Sequence, residues 1–229
     1  MELKQVDGLE LYGKVEELLL EESEGEKLWE LYLDQLEGLG VQSVLDIGCG
    51  GGRFCQKGSA RGFQIEGIDL SKNQIAKAVK RGCNCHTTSL SQLTGYYNAG
   101  VAVFDVVNYL PPSQLTNFFE TVYRLTDHFL FDINTYFGMA DLAVGTLKRE
   151  GNGKFLCLDS RFEEGKLITT LDLFIPTGNG YFREKGEVIQ YYHPLEKIVA
   201  LSPFPKVEVT GVELYGSGED EKWLILMKK

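Results

Sequence analysis

The residues richest in chemical possibility form the run Val44-Leu45-Asp46-Ile47-Gly48-Cys49-Gly50-Gly51-Gly52-Arg53-Phe54. Gly48, Gly50 and Gly52 let the backbone turn sharply and approach a ligand without Cβ clashes. Amide groups at the start of a following helix favour an anionic ligand group. Asp69 stands 19 residues after Gly50, where a carboxylate at a strand end can accept both hydroxyls of a ribose. A nicotinamide or flavin site asks for G-x-G-x-x-G. Counted from Gly48 the third glycine falls on Arg53, and from Gly50 on Cys55, so that fingerprint is not met.

A second set, Cys83-x-Cys85-His86, has zinc-ligand residue types. On the strand expected there, alternation puts Cys83 and Cys85 on one face and His86 on the other, and no second ligand pair follows. Buried thiols are the better account, and no metal is expected. The five cysteines are odd in number and the chain opens MELKQVDGLE, without a secretory pattern. Reduced thiols and a cytoplasmic location are the expectation.

The 229 residues carry a formal net charge of −10, unevenly placed. Residues 1–40 hold 12 acids and 3 bases, whereas 41–100 hold 3 acids and 7 bases. A bulk acidic surface repels phosphate backbones, which argues against broad nucleic-acid binding. No apolar stretch approaches the roughly 20 residues of a membrane span, so no membrane partner is expected.

These residues must be positioned by alternating elements. Apolar residues at helical spacing over 15–36 give two helices, interrupted at 23–25 and stopped by Gly38 and Gly40. Strands follow at 43–47, 64–69, 99–107 and 128–133, with helices over 72–81 and 112–125. That rhythm predicts βαβ units and a parallel sheet. After about residue 147 it changes to hairpin signals, with strands at 155–162, 167–175 and 181–192. A short helix near 194–201 leads into closing strands at 207–214 and 223–227.

The pattern D-x-G-x-G-x-G from Asp46 to Gly52, followed by GIDLSKNQIAKAVKRG at 67–82, resembles class I S-adenosylmethionine (SAM) dependent methyltransferases. The resemblance implies an α/β fold: a Rossmann-like seven-stranded methyltransferase sheet with helices on both faces and an antiparallel last strand. A small antiparallel β elaboration is added. It divides the chain into an N-terminal helical lid (1–40), a SAM-binding core (41–147), a β insertion (148–193) and a closing helix and strands (194–229). By resemblance, Asp46 and the backbone of Gly48, Cys49, Gly50 and Gly52 hold the amino acid moiety of SAM, and Asp69 binds its ribose. Leu70 packs on adenine. Ser89 stands where the family often has an adenine-contacting Asp, with Leu90 offering its backbone.

The transfer site should lie beyond the carboxyl ends of the strands. Strand four ends in Asp105, Asn108 and Tyr109; strand five ends in Asp132, Asn134 and Tyr136. The string FDINTYFG at 131–138 resembles small bacterial methyltransferases with a β-rich insertion after strand five, which implies a small-molecule acceptor. Asp105, Asn134 and His193 are the candidate catalytic groups, Asp105 also facing the cofactor. Tyr12, Asn108, Tyr109, Asp132 and Tyr136 are the candidate substrate contacts. Each has a bland alternative: caps or turns for the Asp and Asn residues, wall packing for the tyrosines, a strand end for His193. Trp29 caps the pocket beside Tyr12 or packs in the core. NYLPP at 108–112 holds the letters of the nucleic-acid N-P-P-Y motif in the wrong order, and Pro111-Pro112 more simply start a helix.

The expected function is methyl transfer from SAM to an oxygen or nitrogen nucleophile of a small molecule by in-line displacement. Aminopropyl transfer, or a silent SAM-binding subunit serving a protein partner, are the alternatives. The insertion serves either substrate recognition or a homodimer interface.

Overall fold

The aliphatic runs of this sequence pair as strands, and the amphipathic stretches cover them, in a computed structural model that describes residues 3–19 and 22–229. In chain order the elements are β1 (Leu3–Gln5), α1 (Gly8–Leu19), α2 (Glu22–Gly38), β2 (Ser43–Ile47), α3 (Arg53–Ala60), β3 (Gln64–Asp69), α4 (Lys72–Lys80) and β4 (Cys85–Thr87). They continue as β5 (Tyr97–Ala102), α5 (Leu115–Leu125), β6 (Thr126–Asn134), α6 (Tyr136–Leu142), β7 (Thr146–Gly151), β8 (Lys154–Glu163), β9 (Lys166–Thr177) and β10 (Gly180–Tyr191). The chain closes with α7 (Leu195–Leu201), β11 (Lys206–Val212) and β12 (Lys222–Lys228).

Seven strands form one sheet in the order β11-β12-β6-β5-β2-β3-β4. Strands β2 to β6 run parallel, and β12 enters antiparallel between β6 and β11. Central strands covered on both faces need near-continuous apolar residues, which is how β6 and β12 read. One face buries α2, α3 and α4 through Tyr32, Phe54 and Ile75. The other buries α5 and α7 through Leu115, Phe119 and Ile198. The seven-stranded sheet with its antiparallel last strand is as expected. Its strand order reverses between β2 and β5, and that switch point opens a crevice at the strands' carboxyl ends.

A second sheet has the order β1-β10-β9-β8-β7. Strands β7 to β10 form an antiparallel meander, and β1 joins its edge parallel to β10. Leu11 and Val15 of α1 pack on Leu156, Leu171 and Val188 of this sheet. Helix α2 packs on the large sheet, so the segment 1–40 divides between two cores.

Several local expectations need correction. Helix α2 runs through 23–25, because Gly25 leaves room for Trp29 one turn on: a Cβ there would meet the indole at 3.1 Å. α1 ends at Leu19 and α2 begins at Glu22, and residues 20–21 lie outside the described residues. The strand expected to reach residue 107 ends at Ala102. Phe104 and Asp105, both at φ +63°, turn the chain into a 3-10 turn over Val106–Tyr109. Cys83 precedes β4, so strand alternation never applies to it. The short polar strands β1 and β7 and the helix α6 carry no strong periodic signal. All five cysteines are free thiols. Among the described residues, no helix is long and apolar enough to cross a membrane.

Candidate active site

The loop after β2 folds as its glycines allow. Gly48, Gly50 and Gly52 sit at φ +74°, +51° and +77°, the left-handed region that other residues avoid. The amides of Gly48 and Cys49 donate to the Ile68 carbonyl, tying the loop to β3. Gly52 then caps α3. Asp69 closes the arrangement: one carboxylate oxygen accepts the Gly50 amide at 3.0 Å, the other the Ser71 amide at 2.8 Å. Burial raises its pKa while these donors oppose the rise. Each oxygen keeps a further lone pair.

Loop and strand ends open onto a cavity of about 1160 Å³, at the large end for a ligand site. Asp46, Gly48, Cys49 and Gly50 line one side, with Asp69, Leu70, Ser89 and Leu90 beside them. Leu70 is 74% exposed, an apolar side chain standing free at the rim. Gln74 reaches in from α4. Its amide nitrogen donates to Glu16 of α1 at 2.7 Å, and its oxygen is buried near the loop without a partner among the described residues. Ser89 lines the cavity with its amide and hydroxyl both donating to the Gln92 side chain. Gly52 lies behind the cavity wall and acts through the turn it permits.

The far side of the cavity is built from four elements. Tyr12 of α1 and Tyr109 of the 3-10 turn face Asp105, and burial pushes both phenols above their usual range. Trp29 lines the same wall, edge-on to Phe104 at 5.9 Å. The small sheet contributes Leu158, Thr169, Val188 and Gln190, and Arg149 comes from β7.

Beneath Asp105 lies a charge cluster. Lys222, at the start of β12, is 1% exposed and bonds to the carboxylates of Asp105 and Asp132 and to the Asn134 carbonyl oxygen. Asp132 also accepts the Tyr32 hydroxyl at 2.6 Å and the amides of Phe104 and Asp105 at 2.8 and 3.1 Å. It thereby clamps two consecutive left-handed residues, a conformation costing about 1–3 kcal/mol each. Desolvation alone would raise Asp132, yet Lys222 and Tyr32 hold it below the usual carboxylate range. Asp105 goes the other way: burial raises it against the pull of Lys222.

The cavity therefore gathers Tyr12, Asp46, Gly48, Cys49, Gly50, Asp69, Leu70, Ser89, Leu90, Asp105 and Tyr109. Five expected transfer residues lie outside it. Asp132 is the clamp just described. Asn108 spends its amide on structure, donating to the Tyr191 carbonyl at 2.9 Å and accepting the Asn134 amide at 3.0 Å. Asn134 binds Lys222. Tyr136 is 61% exposed and packs edge-on against Phe162 and Tyr192. His193 is 1% exposed with Nε2 on the Val107 carbonyl, and burial lowers its pKa, so it is a neutral wedge and not a base facing substrate. Sequence reasoning missed Lys222, Glu16 and Gln74. A lysine opening an edge-like strand and acids on an amphipathic helix read as solvated groups, and only tertiary packing turns them inward.

Sheet order, glycine loop and Asp69 define the fold of the class I SAM-dependent methyltransferases. Residues 44–128 match the family described as a methyltransferase domain. The chain superimposes on an S-adenosylmethionine-dependent methyltransferase from Clostridium acetobutylicum ATCC 824 with a TM-score of 0.74, at 18% identity over 96% of both chains. SAM-bound CalS10, an amino pentose methyltransferase from Micromonospora echinaspora, gives 0.71 at 15% identity, covering 96% of this chain and 97% of that one. A protein of Geobacillus sp. (strain WCH70) that bears a methyltransferase name is 29% identical over 119 residues, 47% of this chain and 48% of that relative. The match thus spans about half the length of that relative. Residues 44–128 thus match a methyltransferase domain, and the chain as a whole has the fold of S-adenosylmethionine-dependent methyltransferases, of which CalS10 is seen with SAM bound.

The residues present suit that cofactor. A Cβ on Gly48 would collide with Val106 at 2.8 Å, so the loop's shape depends on glycine there. The orphaned Gln74 oxygen beside it is an acceptor for a cationic donor such as an amino group.

Proposed function

We propose that this protein transfers the SAM methyl group to an oxygen or nitrogen nucleophile of a small molecule held between Asp105, Tyr109, Tyr12 and the inner face of the small sheet. The observation that carries this reading is that one cavity is lined by the cofactor loop on one side and by these residues on the other. In this reading the loop backbone from Gly48 to Gly50, with Gln74 and Glu16, surrounds the amino acid moiety, and Asp69 accepts the ribose hydroxyls. Leu70 and Leu90 flank adenine, and Asp46 shapes the loop from below.

When bound, SAM supplies an electrophilic methyl on a sulfonium. The protein's part is alignment and exclusion of water, for which effective concentration counts most. Tyr12 and Tyr109 wall the acceptor. Asp105, just beyond the end of β5, faces the side of the cavity walled by Tyr12 and Tyr109, and its raised pKa suits it to take a proton from the acceptor. The N-terminal helix α1 closes the site, with β7 to β10 forming the acceptor wall. Asp7, Glu10 and Glu16 line the cavity with Asp105, against Arg53 and Arg149. That excess of acids favours a neutral or cationic acceptor, such as an amine, over a phosphorylated one.

The test is transfer of labelled methyl from SAM into a panel of amino sugars and other small amines and alcohols, followed by product identification. Asp105→Asn should then lower kcat about 10²- to 10⁴-fold with SAM affinity little changed. No labelled product across the panel and a metabolite extract, despite tight SAM binding, would instead support a silent binding subunit.

A further inference from the structure

Three buried cysteines converge beneath the glycine loop. Cys49 belongs to the loop, Cys55 to the first turn of α3 and Cys85 to the start of β4. Their Sγ atoms all lie within 4.8 Å of one another, and Cys55 and Cys85 are 3.7 Å apart. Asp46 at the end of β2 adds a carboxylate oxygen 3.1 Å from the Cys55 sulfur, and is itself 1% exposed. Gly67 of β3 makes the room: a Cβ there would come within 2.6 Å of the Cys85 sulfur and 2.8 Å of the Cys49 sulfur.

The distances suit a tetrahedral ion. Metal–sulfur bonds of about 2.3 Å place ligand sulfurs about 3.8 Å apart, so Cys55 and Cys85 are already at spacing and Cys49 needs a small adjustment. Electrostatics point the same way. The buried Asp46 carboxylate accepts the weak Cys55 thiol donor, and burying a charge without a counter-charge is costly. A cation among these groups would supply that counter-charge. Asp46 and Cys49 also line the cofactor cavity, which gives an ion a way in.

We propose that Cys49, Cys55, Cys85 and Asp46 bind one soft divalent cation of the zinc class. The three sulfurs supply the converged donors and Asp46, beside Cys55, swings in as the fourth, which closes the shell, so the ion is structural: it ties the glycine loop to α3 and β4. Thiolate and carboxylate donors of this kind prefer zinc to magnesium or calcium. This set differs from the Cys83-x-Cys85-His86 spacing in the sequence. Cys83 instead points to the Gly52 carbonyl at 3.3 Å, and His86 lies on the solvent side near Glu66. The proposal does not depend on which acceptor the enzyme methylates.

Its test is titration of the chelator-treated, reduced full chain with Co²⁺, followed by Zn²⁺ competition. The expected result is a thiolate-to-cobalt charge-transfer band with tetrahedral d–d absorption, saturating at a single ion per chain and erased by Zn²⁺. Cys55→Ala and Cys85→Ala should lose the band, while Cys83→Ala and Cys157→Ala keep it. Circular dichroism on each variant reports whether the fold survives. Absence of the band in the wild-type chain overturns the proposal. So does a saturating band that persists in both Cys55→Ala and Cys85→Ala, or formation of a Cys55–Cys85 disulfide in place of metal uptake.

Discussion

Replacing Lys222 with Met is the sharpest perturbation the structure offers. The ammonium is fully buried and holds Asp105 and Asp132 in ion pairs. Desolvation lowers the lysine's pKa, but the two carboxylates hold it well above the usual value. Methionine matches the stem and removes only the charge, leaving two buried carboxylates facing each other. Breaking a buried pair this way costs about 3–5 kcal/mol. For a chain of this length that corresponds to a loss in Tm of about 6–20 °C. The pH dependence follows from the shifts. In the wild type Asp132 is held low, so its stabilisation is present above the unfolded value of about 3.9 and lost as pH falls through its lower folded value. In Lys222→Met burial loses its main opponent, with only the Tyr32 hydroxyl and two amides left on Asp132, and both carboxylates rise. Their cost is then absent below about 3.9 and grows as pH rises through the raised folded values. The deficit should therefore be larger at about pH 8 than at about pH 5. Differential scanning calorimetry at both pH values reads this directly. A variant that melts within about 2 °C of wild type at both would refute the charge-cluster account. Adding Asp132→Asn should recover part of the loss at the higher pH.

Two further predictions concern the site. Asp69→Ala removes the ribose acceptor and two loop anchors, so SAM affinity by calorimetry should fall at least 10- to 150-fold, roughly the 1.5–3 kcal/mol of one charge-assisted hydrogen bond; wild-type affinity would sink the assignment. His193→Gln should lower Tm, because the wedge on Val107 is disturbed, while the pH profile of methyl transfer stays unchanged. A lost limb in that profile would restore His193 as a base.

The N-terminal acidity also acquires a place. Glu26 of α2 pairs with Lys57 of α3, and Glu30, Asp34 and Glu37 of α2 surround Arg61, which follows α3. Such surface pairs contribute little each, but they match two of the seven bases of 41–100 to the acidic helix. The acids of α1 do something different, since Glu10 and Glu16 face the cavity.

What the sequence determined by itself was local. Glycines at fixed spacing after an aliphatic strand can only make a tight left-handed loop, and a carboxylate at the next strand's end must sit beside it. So the geometry of the glycine loop and of Asp69 beside it was legible, as was the alternation that builds the large sheet. The transfer half was not. Asp105, Asn108, Asp132 and Asn134 look alike in sequence, as polar residues at strand ends. The buried Lys222, arriving from the far end of the chain on β12, decides which of them are structural. Likewise Cys49, Cys55 and Cys85 have no motif spacing, and Tyr12 reaches the cavity only because α1 rests on the small sheet. Burial and pairing between distant segments set those roles, and neither is a local property of the chain.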